Sequence, residues 1–259
     1  MYPILLELGP IIIYSLWVFI AIGFFAALLI LNKLVKKSRL RLGFIAQHSL
    51  AIFMGGLILA RLVYVARNIP YYFYEVNLSS FFQVFYIWDK GLSAWGGIIG
   101  IILTTVYFAW RDKENTLAWL DIISVSILGA ISVSSIGTFL SGQGYGNETS
   151  LPWGVIIENS IYAVPIHPTQ IYATIYTGLL TYILVSLFNH KISIIQGRIS
   201  IIALGGYSFF RFLEEFLRGD ESNFFFGIRE AQIYALLGVI VSVILFYVQE
   251  QRTKKSNNS

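Results

Sequence analysis

Seven stretches of about 20 mostly apolar residues recur along this chain, a length that matches the hydrocarbon thickness of a bilayer. They cover residues 11–32, 43–66, 93–110, 117–140, 168–188, 199–217 and 231–248 of a 259-residue sequence. Hydrophobic residues make up 56% of it and charged ones 12%, against roughly 25% charged in a soluble domain. A soluble fold of this length has no interior large enough to hide that surface. The expected fold is an all-α membrane protein of seven transmembrane helices in a single polytopic domain, followed by a basic cytoplasmic tail over residues 249–259. The first apolar run has no basic flank before it and no small-residue cleavage site after it, so it reads as a retained span and not a signal peptide.

Basic residues concentrate in cytoplasmic connections, and that bias orients the spans. One set of connections holds Lys33, Lys36, Lys37, Arg39, Arg41, Arg111, Lys113, Lys191, Arg198, Arg252, Lys254 and Lys255, twelve in all. The other holds four: Arg67, Lys90, Arg218 and Arg229. The N-terminus is therefore expected outside and the C-terminus in the cytoplasm. Tyr- and Phe-rich outer connections fit aromatic belts, and residues 71–75 and 79–86 are expected as short interfacial helices on the outer face.

Composition excludes several kinds of chemistry. The chain has no Cys, so no disulfide, thiolate or Cys-ligated metal is available. His48, His167 and His190 are scattered and form no metal-ligand spacing. The net charge is +4, but the basic residues follow topology and build no nucleic-acid face, so no nucleic-acid partner is expected.

Polar groups inside the apolar pattern mark where function concentrates, since charge in a bilayer is costly and ordinarily faces a protein interior or wet cavity. The sixth stretch ends in Arg211, Glu214, Glu215 and Arg218. Arg211 with Glu215, and Glu214 with Arg218, stand at i, i+4 on shared helix faces. Either they tie one helix internally, or they serve an anionic ligand; Arg suits bidentate phosphate recognition. Arg61, near the outer end of the second stretch, either snorkels to headgroups or binds a lipid phosphate. Gly96, Gly97 and Gly100 allow close helix packing or a broken helix entry. Asp121 lies a few residues into the fourth stretch, at the interface or paired inside the bundle. Residues 134–146 are polar and Gly-rich; they are a loop, or a non-helical backbone whose N–H groups cradle a phosphate. His167 precedes Pro168, which suits a first helical position, and a neutral His there is a base, a hydrogen-bond donor or simply a cap. These ionisable groups gather at one face and not along a crossing path, which argues against a transporter.

Taken in order, these segments resemble the prolipoprotein diacylglyceryl transferase family. The matching pieces are Ala60-Arg61-Leu62-Val63-Tyr64, Trp88-Asp89-Lys90-Gly91-Leu92-Ser93 with Gly96, Gly97 and Gly100, then Gly137, Phe139, Gly142 and Gly146, Leu151-Pro152-Trp153, His167-Pro168-Thr169-Gln170-Ile171-Tyr172, and the run from Arg211 to Arg218. The family usually has His at Trp95, Arg at Ser135, Asn at Thr138, Glu at Gln143 and Glu at Ala173. The resemblance implies a multi-pass enzyme of the bacterial inner membrane that needs no metal and no diffusible cofactor. Such an enzyme moves the diacylglyceryl group of phosphatidylglycerol onto the lipobox cysteine thiol of a preprolipoprotein signal peptide, releasing glycerol 1-phosphate. Arg211, Glu215 and His167 are the expected catalytic set, with Glu215 orienting Arg211. Arg61, Gly137, Gly142, Gly146, Gln170, Asp121 and Arg218 are expected to bind substrate. The alternative is a non-catalytic or redirected member that binds an anionic phospholipid or a lipoprotein precursor in the membrane.

Overall fold

The computed structural model describes residues 2–9, 11–38, 40–73, 82–86, 91–156, 164–188 and 195–257. Helices dominate: α1 (Ser15–Ser38), α2 (Gly43–Arg67), the short α3 (Ile69–Tyr72), α4 (Ala94–Arg111), α5 (Thr116–Ser141), α6 (Thr169–Leu187), α7 (Arg198–Glu215) and α8 (Glu230–Asn257). Six of them (α1, α2, α4, α5, α6 and α8) are long and apolar enough to cross a membrane. The chain is an all-α membrane protein in that sense. The remaining long helix, α7, has 18 residues and carries Arg198, Arg211, Glu214 and Glu215.

Several boundaries depart from the expected ones. Residues 11–14, placed in the first span, instead form strand β2 (Ile11–Tyr14), which pairs antiparallel with β1 (Ile4–Leu8). Gly9 turns the chain at φ +61°, and the β-branched run Ile11-Ile12-Ile13 suits an extended backbone. Pro3 then accepts both the amide and the hydroxyl of Ser15, at 3.0 and 3.2 Å, where α1 begins. A second hairpin pairs β3 (Phe224–Phe225) with β4 (Ile228–Arg229). At the other end, the expected tail is helical through Asn257, and Arg198 bonds Glu250 at 2.7 Å. Residues 74–75 and 79–81 of the expected interfacial helices, Trp88, Asp89 and Lys90 of the matched motif, and His190 and Lys191 lie outside the described residues.

The chain divides into two compact units. One comprises residues 38–123, in which α2 packs on α4 along small residues. A Cβ on Gly96 would meet the Leu59 carbonyl at 2.5 Å and the Ala60 Cα at 2.9 Å. So close an approach rewards residues without side chains. The packing alternative holds for these glycines, since α4 is continuous and starts at Ser93, whose hydroxyl accepts from the Gly96 amide. Below them, His48 Nε2 meets Asp112 Oδ2 at 2.7 Å, and Phe44 packs on Trp119 at 4.6 Å.

The other unit comprises residues 1–37 and 124–259. Its helices also meet on small residues. Gly23 faces Ser134 and Ala130, Gly178 faces Ser132, and Gly238 faces Ser208. Ser132 reaches across from α5 to the Thr174 carbonyl of α6 at 2.8 Å. Gly206 of α7 faces Leu180 of α6, and the α6–α7 seam carries the polar residues described next.

Candidate functional site

The last turn of α7 is a buried ionic cluster. Arg211 Nη1 donates to Glu214 Oε1 at 2.7 Å, and its Nη2 is in contact with Glu215 Oε1. The two carboxylates are 3% and 1% exposed, while the Arg211 side chain is 18% exposed. The acids are sealed and the cation is the open member. Tyr176, from α6, donates its hydroxyl to Glu214 Oε2 at 2.8 Å. Glu215 Oε2 accepts from Arg229 Nε at 2.8 Å. Arg218, just beyond the helix end, lies 3.6 Å from Glu214 and 3.7 Å from Glu215, and its principal partner is Asp220. Burial pushes the Asp220 carboxyl up, but the hydrogen bond from Arg218 and the charges of Arg218 and Arg229 outweigh it and hold the group below the ordinary carboxylate range.

The cluster therefore sets Arg211, Arg218 and Arg229 against Glu214, Glu215 and Asp220. Buried ion pairs of this kind return little net stability after desolvation. Two of these residues, Asp220 and Arg229, stand outside the α7 run that the sequence singles out. Arg229 had counted only as an outer-loop cation, and its 14-residue separation from Glu215 carries no periodic signal. Tyr176 stands one helical turn past Tyr172, a spacing visible in sequence without a meaning attached to it.

A loop and a second helix close over this cluster. The helix α5 runs to Ser141, so residues 134–141 are helical and are neither the plain loop nor the non-helical phosphate cradle that the sequence left open. Gly137 sits inside that helix, where a Cβ would strike Phe19 and Leu16 of α1; it serves packing. The non-helical stretch is 142–146, with Gly142 at φ +73° and Gly144 at φ +67°. Its amides are largely spoken for: Gly142 bonds the Phe139 carbonyl, Gln143 that of Thr138 and Gly146 that of His167. A Cβ on Gly144 would come within 2.9 Å of Arg218 Nη2. Gly146 and Arg218 form an antiparallel β-bridge. The glycine loop thus meets Arg218, while Arg211 joins α6 through Glu214 and Tyr176.

The start of α6 holds the loop. Thr169 donates to the Gly144 carbonyl at 2.7 Å, and Gln170 Nε2 donates to that of Gln143. Gln170 Oε1 is buried with no hydrogen-bond partner among the described residues. Pro168 is the N-cap and Thr169 the first helical residue, one position later than expected. His167 is half-buried; its Nδ1 lies 3.2 Å from the Tyr172 hydroxyl, which also accepts from Trp153 Nε1 at 2.8 Å.

Of the expected site residues, Arg211, Glu215, Arg218, Gly142, Gly146, His167 and Gln170 belong to this one assembly of loop and helix ends. Arg61 and Asp121 belong to the other unit. Arg61 neither snorkels nor lies open: it is 4% exposed. It donates to the carbonyls of Val84, Gln83 and Gly91 at 2.7, 2.8 and 3.0 Å, and its guanidinium lies 5.2 Å from the Tyr72 ring. Asp121 is buried near the start of α5.

Comparison with known proteins adds an independent line. Residues 3–248 match the model of the family described as prolipoprotein diacylglyceryl transferase. A phosphatidylglycerol–prolipoprotein diacylglyceryl transferase of Clostridium tetani is 29% identical over 97% of this chain and 99% of its own. One from Aeromonas hydrophila is 31% identical over 80% of this chain and 74% of its own, and one from Haemophilus influenzae 32% over 59% and 58%.

Proposed function

The chain belongs to the prolipoprotein diacylglyceryl transferase family, and on that premise we propose that it transfers the diacylglyceryl group of phosphatidylglycerol to the lipobox cysteine of a preprolipoprotein, with α7 supplying the phosphate site. The observation that carries the site assignment is the asymmetry of Arg211. Its two carboxylate partners are sealed, at 3% and 1% exposed, while the Arg211 side chain stays 18% exposed. In the reaction a cysteine sulfur forms a bond to the glyceryl carbon, the carbon–oxygen bond to phosphate breaks, and glycerol 1-phosphate departs with the electron pair. A preorganised cation beside the leaving oxygen stabilises the charge that develops there. Glu214 and Glu215 fix the guanidinium from behind, so it does not reorganise as the phosphate leaves.

The thiol proton needs an acceptor. His167 is our candidate, since it flanks the α6 start beside the loop that carries Gly142 and Gly146. Gln170 Oε1 offers an acceptor for a hydroxyl of the glyceryl headgroup, because no protein donor among the described residues occupies it. We further assign α7 as the seventh span, an outer N-terminus, a cytoplasmic C-terminus and residence in the bacterial inner membrane. The support for these is the positive-inside count and the helical continuity of residues 198–215.

One observation favours a binding role without transfer. Ser135 and Thr138, where the family usually has Arg and Asn, turn their hydroxyls back to the carbonyls of Ile131 and Ser134 on their own helix. They bring no charge to a ligand. The two roles separate in one experiment: incorporation of labelled diacylglyceryl from phosphatidylglycerol into a lipobox peptide by the purified protein. Product from wild type that Arg211→Ala abolishes supports the proposal. Binding of phosphatidylglycerol with no product would leave only the binding role, and full turnover by Arg211→Ala would remove Arg211 from the phosphate site.

A further inference from the structure

Arg229 reaches the ionic cluster from a separate element. The β3–β4 hairpin turns through Phe226 at φ +53° and Gly227 at φ +78°. Both flanks of Arg229 are anchored: its amide bonds Gln232 Oε1 at 3.1 Å, and the Glu230 amide bonds the Asn223 carbonyl at 2.9 Å. The guanidinium therefore points from a braced backbone. Its Nη1 and Nη2 hold the carbonyls of Arg218 and Asp220 at 3.3 and 3.0 Å, and Nη2 also bonds Asp220 Oδ1 at 2.9 Å. Those contacts alone would tie the hairpin down. The Nε contact goes further, to Glu215 Oε2 at 2.8 Å.

Glu215 divides its two oxygens. Oε1 meets Arg211, and Oε2 belongs to Arg229. With one oxygen held by a hydrogen bond, the carboxylate is placed for the ion pair that its other oxygen makes with Arg211. Charge acts in the same direction. With Arg229 present, the six charges of the cluster balance; without it the cluster is one negative charge in excess, and the field of Arg211 toward an anion is weaker. We propose that Arg229 is a positioning residue for the transfer reaction, acting on Arg211 through Glu215. This rests on the assignment of Arg211 to the leaving phosphate.

The experiment compares transfer kinetics and thermal unfolding of the full-length protein for wild type, Arg211→Ala, Glu215→Gln, Arg229→Gln, Arg229→Lys and the double variant Glu215→Gln/Arg229→Gln. A wild type without product, or an active Arg211→Ala, removes the underlying assignment and is recognised before Arg229 is judged. Given an active wild type and an inactive Arg211→Ala, Arg229→Gln should lower kcat by about ten- to a hundredfold, the loss of one charge-assisted hydrogen bond. The KM for phosphatidylglycerol should change far less, and Arg229→Lys should restore part of kcat. In the Glu215→Gln background, Arg229→Gln should cost no further kcat even where it still lowers Tm. Wild-type kcat in Arg229→Gln, or losses that multiply in the double variant, would overturn the proposal. If Arg229→Gln does not fold, Arg229→Lys decides: reduced kcat at unchanged KM supports the role, and wild-type kcat overturns it.

Discussion

Tyr176 and Glu214, 38 residues apart in sequence, meet across the α6–α7 seam with the phenol donating to the carboxylate at 2.8 Å. Glu214 is thereby held on one oxygen by Tyr176 and on the other by Arg211. A hydrogen bond to a buried charge contributes about 1.5–3 kcal/mol. Tyr176→Phe keeps the ring, which stacks on Phe210 at 5.4 Å, and removes only the donor. Thermal unfolding of this variant should begin at lower temperature, with turnover reduced. Unchanged Tm and turnover would show that Glu214 does not depend on the phenol.

Arg61 joins α2 to the backbone carbonyls of Gln83, Val84 and Gly91. Its removal takes the charged donor from these partly buried acceptors, at a cost of about 3 kcal/mol for the set. Arg61→Ala should therefore cut stability sharply and expose residues 82–86 to protease, while Arg61→Lys, a single-point donor, recovers only part. Protease resistance equal to wild type in Arg61→Ala would contradict the clamp.

Gly146 and Gly97 should respond oppositely to the same substitution. A Cβ on Gly146 would lie 2.5 Å from both Cβ and the carbonyl oxygen of His167; on Gly97 the nearest atom would be 3.7 Å away. Overpacking of the first kind costs about 1–3 kcal/mol. Gly146→Ala should lose both Tm and transfer, since the clash falls on the bridge to Arg218, whereas Gly97→Ala should match wild type. Equal behaviour of the two in a thermal-shift series would count against this account of the loop.

The His48–Asp112 pair makes stability sensitive to acid. The hydrogen bond from His48, with that from Arg111 second, holds the Asp112 carboxyl below its ordinary value. A carboxyl depressed in the folded state stabilises the fold above its unfolded pKa and loses that contribution as pH falls through the lower, folded value. Stability should thus decline as pH drops below about 4, where an unfolded Asp begins to protonate. Asp112→Asn should flatten that decline in denaturant titrations from pH 5 downward, and an identical slope in both proteins would refute the linkage.

Because the natural chain contains no Cys, single cysteines report topology against a clean background. In intact cells, Tyr2→Cys should react with a membrane-impermeant maleimide and Thr253→Cys only after lysis. The reverse pattern would invert the proposed orientation.

Much of this protein is legible along the chain, because a bilayer judges residues a window at a time. Apolar length marked the six helices long and apolar enough to cross a membrane, and i, i+4 spacing the Arg211–Glu215 pair, each a local property that does not wait for packing. The family resemblance rested on the same short segments. What tertiary structure alone decided is which partners those charges take. Residues 134–141 proved helical, with Gly137 packed against α1. Arg61 became a clamp on carbonyls 22 to 30 residues away, and Gly144 and Gly146 came to face Arg218 and His167. Arg229 completed the cluster from the open end of a hairpin. Each of these joins groups distant in sequence, and a buried charge is stable only where the fold delivers a counter-charge or a carbonyl to it.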